Sequence, residues 1–347
     1  MPIEPMPCRP VQPSRRRALR LATGTALCLA LSYGLALPIP ILGPLFTMLI
    51  LAARPQALPL RMAPALALTV MLSAGSGLLL IPMLRHAPLS GVLLVGLGLF
   101  LCFRFILNGG NGLLATFMVI GLTMVSAAGV SHFTLALSVV SALAKGMLLA
   151  ALTVTLSHWL LPEPLQAPAF PSPPLPDPQA RSRISLRATL IVMPAFLLAL
   201  VSPDTFMPLI LKSVSLGQQS CATNARRAGR ELIGSTVLAG ILAVLFWGAL
   251  SLFVHLWMFF LWTFLFSLLQ GRRLYWVVAT RQSPGFWVSC LSTLLILLGQ
   301  SVEDSVTGRD VYQVFAVRMT LFLLVALYGC AMIYAMDNPA RRHARTG

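Results

Sequence analysis

The sequence predicts an all-α, polytopic integral membrane protein of about twelve transmembrane helices, arranged as two parallel six-helix repeats. Three observations carry that prediction. Of 347 residues, 57% are hydrophobic and 10% are charged, where soluble domains carry roughly 25% charged residues. Apolar runs of about 20 residues, enough to cross about 30 Å of hydrocarbon as a helix, recur along the whole chain. The basic residues flank those runs on alternate sides, which is the signature of membrane topology.

Residues 1–17 form a basic N-terminus ending in Arg15, Arg16 and Arg17. The stretch SRRRALRLATGTALCLALSYGLAL has the look of a signal peptide, but its apolar run exceeds the usual core of about 7–15 residues and further spans follow. It reads as an uncleaved first span. The first membrane half, 18–161, then holds spans at 18–37, 39–53, 62–84, 88–107, 112–129 and 132–161. A Pro-rich segment, PEPLQAPAFPSPPLPDPQAR (162–181), is an extended linker. The second half, 182–336, holds spans at 184–201, 204–219, 228–250, 252–270, 284–300 and 311–336, and a basic tail covers 337–347. Spans two and eight are short and flanked by Pro38, Pro40, Pro44, Pro203 and Pro208, so ten full crossings is the alternative count.

With the N-terminus in the cytoplasm, eighteen arginines, among them Arg54, Arg61, Arg104, Arg181, Arg272 and Arg341, fall on the cytoplasmic side. The other side keeps Arg85 and Arg309 with Asp204, which reads as a helix N-cap at the start of span eight, and with Glu303, Asp304 and Asp310, which read as solvated in one outer loop. The expectation is a bacterial inner-membrane protein with both termini cytoplasmic. Arg16-x-x-x-Arg20 opens the first half and Arg183-x-x-x-Arg187 the second. Arg20 and Arg187 are 167 residues apart, Arg61 and Arg230 169, and Lys145 and Arg318 173. Six spans per half makes such a repeat parallel, about an axis along the membrane normal.

Composition also excludes. A net charge of +16 would suggest nucleic acid in a soluble protein, but here the cations flank apolar runs and no nucleic-acid partner is expected. The cysteines Cys8, Cys28, Cys102, Cys221, Cys290 and Cys330 form no CxxC, and the five histidines are unclustered, so no metal is expected. The NGGNG run at 108–112 lacks the Lys-Ser/Thr of a phosphate loop and reads as a helix cap and turn. No His, acid and Ser constellation converges at one face, so neither an enzyme nor a cofactor is expected.

The most specific stretch is 206–240, FMPLILKSVSLGQQSCATNARRAGRELIGSTVLAG. A short Pro-containing apolar segment runs through a polar Gly-Gln-Gln-Ser turn to Thr223, Arg226, Arg227, Arg230 and Glu231, then into a Gly-rich helix. This passage resembles the fusaric-acid-resistance (FUSC) and aromatic acid exporter family, which carries a similar Thr-x-x-Arg…Arg-x-x-Gly-Thr-x-x-Gly run. Gly234-Ser235 stands where that family has Gly-Thr, and the first half keeps Arg61 without the Thr and Arg pair. Members have large cytoplasmic domains after each membrane unit; this chain has a short linker and tail. The resemblance implies an efflux component for aromatic or other organic acids, often working with a periplasmic membrane-fusion protein.

Read from the residues alone, Arg226, Arg227 and Arg230 set topology and meet lipid phosphates, or gate a substrate. Glu231 is a pairing partner for Arg227 at i,i+4, or a proton carrier. Lys145, in VVSALAKGMLLAALT, and Arg318, in VYQVFAVRMTLFLLVALYG, are cations deep in apolar helices with no acid at i±3 or i±4. They snorkel outward, or they face a cavity that attracts an organic anion; Lys212 adds to that cavity or reaches the cytoplasmic interface. The functional expectation is a proton-coupled exporter of small, aromatic or anionic organic compounds. The alternative is a non-transporting membrane anchor for a periplasmic adaptor.

Overall fold

A computed structural model describes residues 11–53, 62–162, 177–222, 227, 229–306, 308 and 310–343. Among these residues there is no strand, and twelve helices follow one another: α1 (Val11–Gly34), α2 (Leu42–Ala53), α3 (Ala63–His86), α4 (Pro88–Leu107), α5 (Gly112–Ser131), α6 (Phe133–Leu160), α7 (Pro178–Val201), α8 (Pro203–Ala222), α9 (Gly229–Ser251), α10 (Leu256–Leu274), α11 (Pro284–Val306) and α12 (Val311–His343). Eight of them, α3 to α7, α9, α11 and α12, are long and apolar enough to cross a membrane. The expectation of twelve full spans therefore narrows. Helix α2 has 12 residues, too few for about 30 Å at 1.5 Å per residue. Helices α1, α8 and α10 include polar ends, SRRRALR, GQQSCA and QGRR, that thin out their apolar stretch.

Local chemistry sets the boundaries. Proline opens α4, α7, α8 and α11, where its missing N–H is no loss. The NGGNG run ends α4 with Gly109 at φ 87°, and Asn111 caps α5 by accepting the Leu113 N–H at 3.2 Å, as expected from that run. Inside α7, Pro194 cannot donate to Leu190 O, and the Tyr328 hydroxyl of α12 supplies the missing bond at 3.2 Å.

Helices alternate in direction, and contacts at the ends of eight of them show it. Arg16 reaches Pro162 O, Arg181 reaches Asn108, and Gln218 reaches Thr116. Arg187 donates to Ser220 O, and Tyr275 Oη donates to Leu51 O. These contacts gather the starts of α1, α5 and α7 and the ends of α2, α4, α6, α8 and α10 at one end of the bundle. Arg104, Arg230, Arg272 and Arg273 lie there too, so this is the basic end. Arg85, Glu303, Asp304 and Asp310 occupy the opposite end.

Helices α5 and α11 are the most enclosed spans, each 78% buried along its most apolar stretch. Within the first six helices, α1 packs on α2, α2, α3 and α1 pack on α6, and α3 packs on α5. Within the last six, α7 packs on α8, α7, α8 and α9 pack on α12, and α9 packs on α11. Between the sets, α1 lies along α10, α4 along α7, α2 against α11 and α5 against α8. Exposed Leu68, Leu72, Leu97, Leu245 and Leu324 form an apolar exterior suited to lipid.

With lipid as apolar as the core, close packing depends on small residues. Helix α3 passes through a tight 3₁₀ turn at Ser76–Leu80 where α5 has a π-turn at Gly121–Val125. There a Cβ on Gly77 would lie 2.2 Å from Gly121 O, and one on Gly121 would lie 2.4 Å from the Ala74 Cα. Backbone meets backbone with no space for a methyl group. We expect Gly121→Val to lower the thermal unfolding midpoint in detergent by several degrees, because overpacking at a backbone contact costs about 1–3 kcal/mol or more. Gly75→Ala, where a Cβ meets nothing within 4 Å, should leave the midpoint unchanged or raise it.

Candidate functional site

A cavity of about 400 Å³ opens at the basic end, between α2, α4, α5 and α8. The Asn111 cap fixes the start of α5 at its wall, so the first-turn N–H groups of α5 lie beside it. Leu49, Ile106 and Leu113 supply apolar surface. Thr116 and Gln218 supply polarity and are joined by a 2.6 Å hydrogen bond, Gln218 Nε2 donating to Thr116 Oγ1. The cavity therefore straddles a contact between the first and second sets of six helices.

Lys212 lies midway along α8 and has no solvent exposure. Its ammonium donates to Thr293 Oγ1 of α11 at 2.7 Å, and Thr293 in turn donates to Ser289 O. Buried Cys290 lies on the same helix as Thr293, one turn before it. Among the described residues no carboxylate lies against this ammonium, and a buried amine held by a hydroxyl is expensive, so Lys212 is the interior cation among the sequence-derived candidates.

Arg318 has a different environment from the one expected. The sequence places no acid within a turn on its helix, but Asp304 of α11 forms a bidentate pair with it, Arg318 Nη2 donating to Oδ1 at 3.0 Å and Nη1 to Oδ2. Asp304 was expected in a solvated loop. Helix α11 instead continues to Val306, which carries Glu303 and Asp304 on it and buries Asp304 to 3% exposure. The pair holds α11 to α12 near the end opposite the cavity.

Lys145 is exposed on α6 and is not brought together with Arg318 or Lys212. Ser138 and Ser141, on the preceding turns of α6, turn back on their own helix, donating to Leu135 O and Ser138 O. Arg226 lies outside the described residues. Arg227 and Arg230 are exposed at the basic end, and Glu231 is half-buried in the π-turn Gly229–Ile233 that opens α9.

Sequence reasoning missed Asp304, Thr293, Gln218 and Arg187. Arg187 is buried to 4% and bonds a carbonyl in the last turn of α8, a helix-end role where the sequence marks only a repeated Arg-x-x-x-Arg.

Residues 17–157, most of α1 to α6, match a family described as a protein of unknown function, DUF2955. No curated protein and no solved structure matches the chain.

Asp304→Ala strands the Arg318 guanidinium, and breaking a buried pair on one side costs about 3–5 kcal/mol. The double variant Asp304→Leu/Arg318→Met removes both charges and should recover most of that loss. Thermal unfolding of the detergent-solubilised variants measures both, and equal loss in the single and the double would refute the pairing account.

Proposed function

We propose that this chain is a bacterial inner-membrane efflux component, with both termini cytoplasmic, that exports small aromatic or otherwise anionic organic compounds at the expense of the proton gradient. The observation that carries the reading is the cavity at the basic end between the two helix sets. Its volume lies in the range of small-molecule sites, about 300–1,000 Å³. Leu49, Ile106 and Leu113 suit a ring, and the start of α5, with its N–H groups and positive dipole end, suits a carboxylate. The resemblance of 206–240 to the aromatic acid exporters points the same way.

Alternating access follows if the two sets of six helices are a parallel repeat. Support comes from the packing. Adding six to each helix number turns α1 on α2, α2 on α6, α3 on α6 and α1 on α6 into α7 on α8, α8 on α12, α9 on α12 and α7 on α12. It turns α1 along α10 into α7 along α4, and the two most enclosed helices, α5 and α11, into each other. On this reading all twelve helices belong to the membrane unit, α2 as a partial crossing. Arg226, Arg227, Arg230 and Glu231 line the cytoplasmic approach, and Lys212 meets the anion once α8 and α11 part. Arg318 with Asp304 latches the far end. A periplasmic adaptor completes the export path.

The test is growth on a panel of weak aromatic acids with and without the gene. Thr116→Phe, which fills the cavity, should return cells to the sensitivity of the deletion at an unchanged membrane level of protein. Wild-type resistance in Thr116→Phe would sink the cavity. No sensitivity on deleting the gene would sink the transporter and leave a membrane anchor for an adaptor.

A further inference from the structure

Lys145 is the cation that the proposed export path does not use, and its position is specific. It stands 12 residues from Phe133 and 15 from Leu160 on α6, which is about 18 Å and 22 Å along the helix. At 100° per residue, Leu137, Lys145, Leu148, Leu152 and Leu156 fall within one sector of about 100°. All five are exposed, the leucines by 36–46%. The opposite side of α6 carries buried Val139, Ala142, Leu143, Gly146, Met147 and Ala150 and packs on α1, α2, α3 and α5. Lys145 therefore projects from the bundle, in the middle of a leucine stripe.

Snorkelling does not relieve it. With α6 centred in the bilayer, the headgroups begin about 15 Å from the midplane, and a lysine stem reaches about 6 Å. Among the described residues Lys145 has no hydrogen bond or ion pair, and the hydroxyls of Ser138 and Ser141 are turned to their own carbonyls. A second copy of the chain does not relieve it either. The nine acidic residues are Glu4, Glu163, Asp177, Asp204, Glu231, Glu303, Asp304, Asp310 and Asp337, and none lies in the middle of an expected span.

We propose that the outward face of α6 around Lys145 is the docking site for a transmembrane helix of another protein, one that carries a carboxylate at mid-bilayer depth. The leucines on either side supply an apolar seat, and the ammonium supplies register and selectivity, since a carboxylate at that depth has no better partner in hydrocarbon. The inference holds whether or not the chain transports, so failure of the export reading leaves it standing.

The test uses the full chain in lipid vesicles with synthetic single-span Leu-Ala peptides bearing Glu, Leu or Lys at the central position, with binding read by energy transfer at pH 8. The Glu peptide should bind the wild-type chain about tenfold tighter than the Leu peptide. Lys145→Met, an apolar change on an exposed face that leaves the bundle interior intact, should erase the difference. Lys145→Glu should shift the preference to the Lys peptide. Equal binding of the Glu and Leu peptides overturns the proposal, as does a preference for Glu that survives Lys145→Met. A disulfide between two copies of a Leu148→Cys chain also overturns it, because the face would then belong to a homodimer.

Discussion

In hydrocarbon there is no water to take up a backbone carbonyl, so each one that leaves the helical ladder needs a donor from the protein. Much of this structure follows from that constraint. The carbonyl freed by Pro194 is met by Tyr328. At the helix ends, Tyr275 meets Leu51 O, Arg187 meets Ser220 O, and Arg85 meets Gly129 O and Val130 O. Each donor comes from a different helix than the carbonyl. The chemistry of the helix ends thus also fixes which helices are neighbours, and it ties the first set of six to the second through Tyr275 and Leu51.

The same lack of water makes charge expensive, and the three intramembrane cations meet that expense in three ways. Arg318 takes the Asp304 carboxylate from the neighbouring helix, with its planar fork engaged at both nitrogens. Lys212 is wholly enclosed and is held by the Thr293 hydroxyl. Lys145 points away from the bundle. An ion pair, an enclosed amine and an outward amine have different uses. The first braces α11 on α12, the second sits where helices would have to part to reach it, and the third addresses whatever lies alongside the protein.

Little of the cavity was legible: the NGGNG cap and turn was, but Lys145, Lys212, Arg318, Arg227, Arg230 and Glu231 do not line it. NGGNG announced a cap and turn because Asn and Gly have the local chemistry for it, and that cap sets the wall of the cavity. Gln218 and Thr116 were opaque, since a polar side chain near a helix end looks the same whether it meets a headgroup or another helix. Asp304 was opaque for a sharper reason. Hydropathy falls after Gly299, which reads as a loop, while the backbone stays helical to Val306 because one face of that last turn is buried.

The sequence by itself determined the helical membrane class, the order of the twelve helices with ends that differ by up to seven residues, and the sorting of basic residues to one end. These follow from composition and from hydrogen-bond chemistry that is satisfied within each segment. Tertiary structure alone decided which helix faces lie inward, and so what each buried or exposed charge touches. A lysine on a helix costs the same letters whether it points inward or outward; the difference between Lys212 and Lys145 is the rotation of each helix, and packing against neighbours sets that rotation.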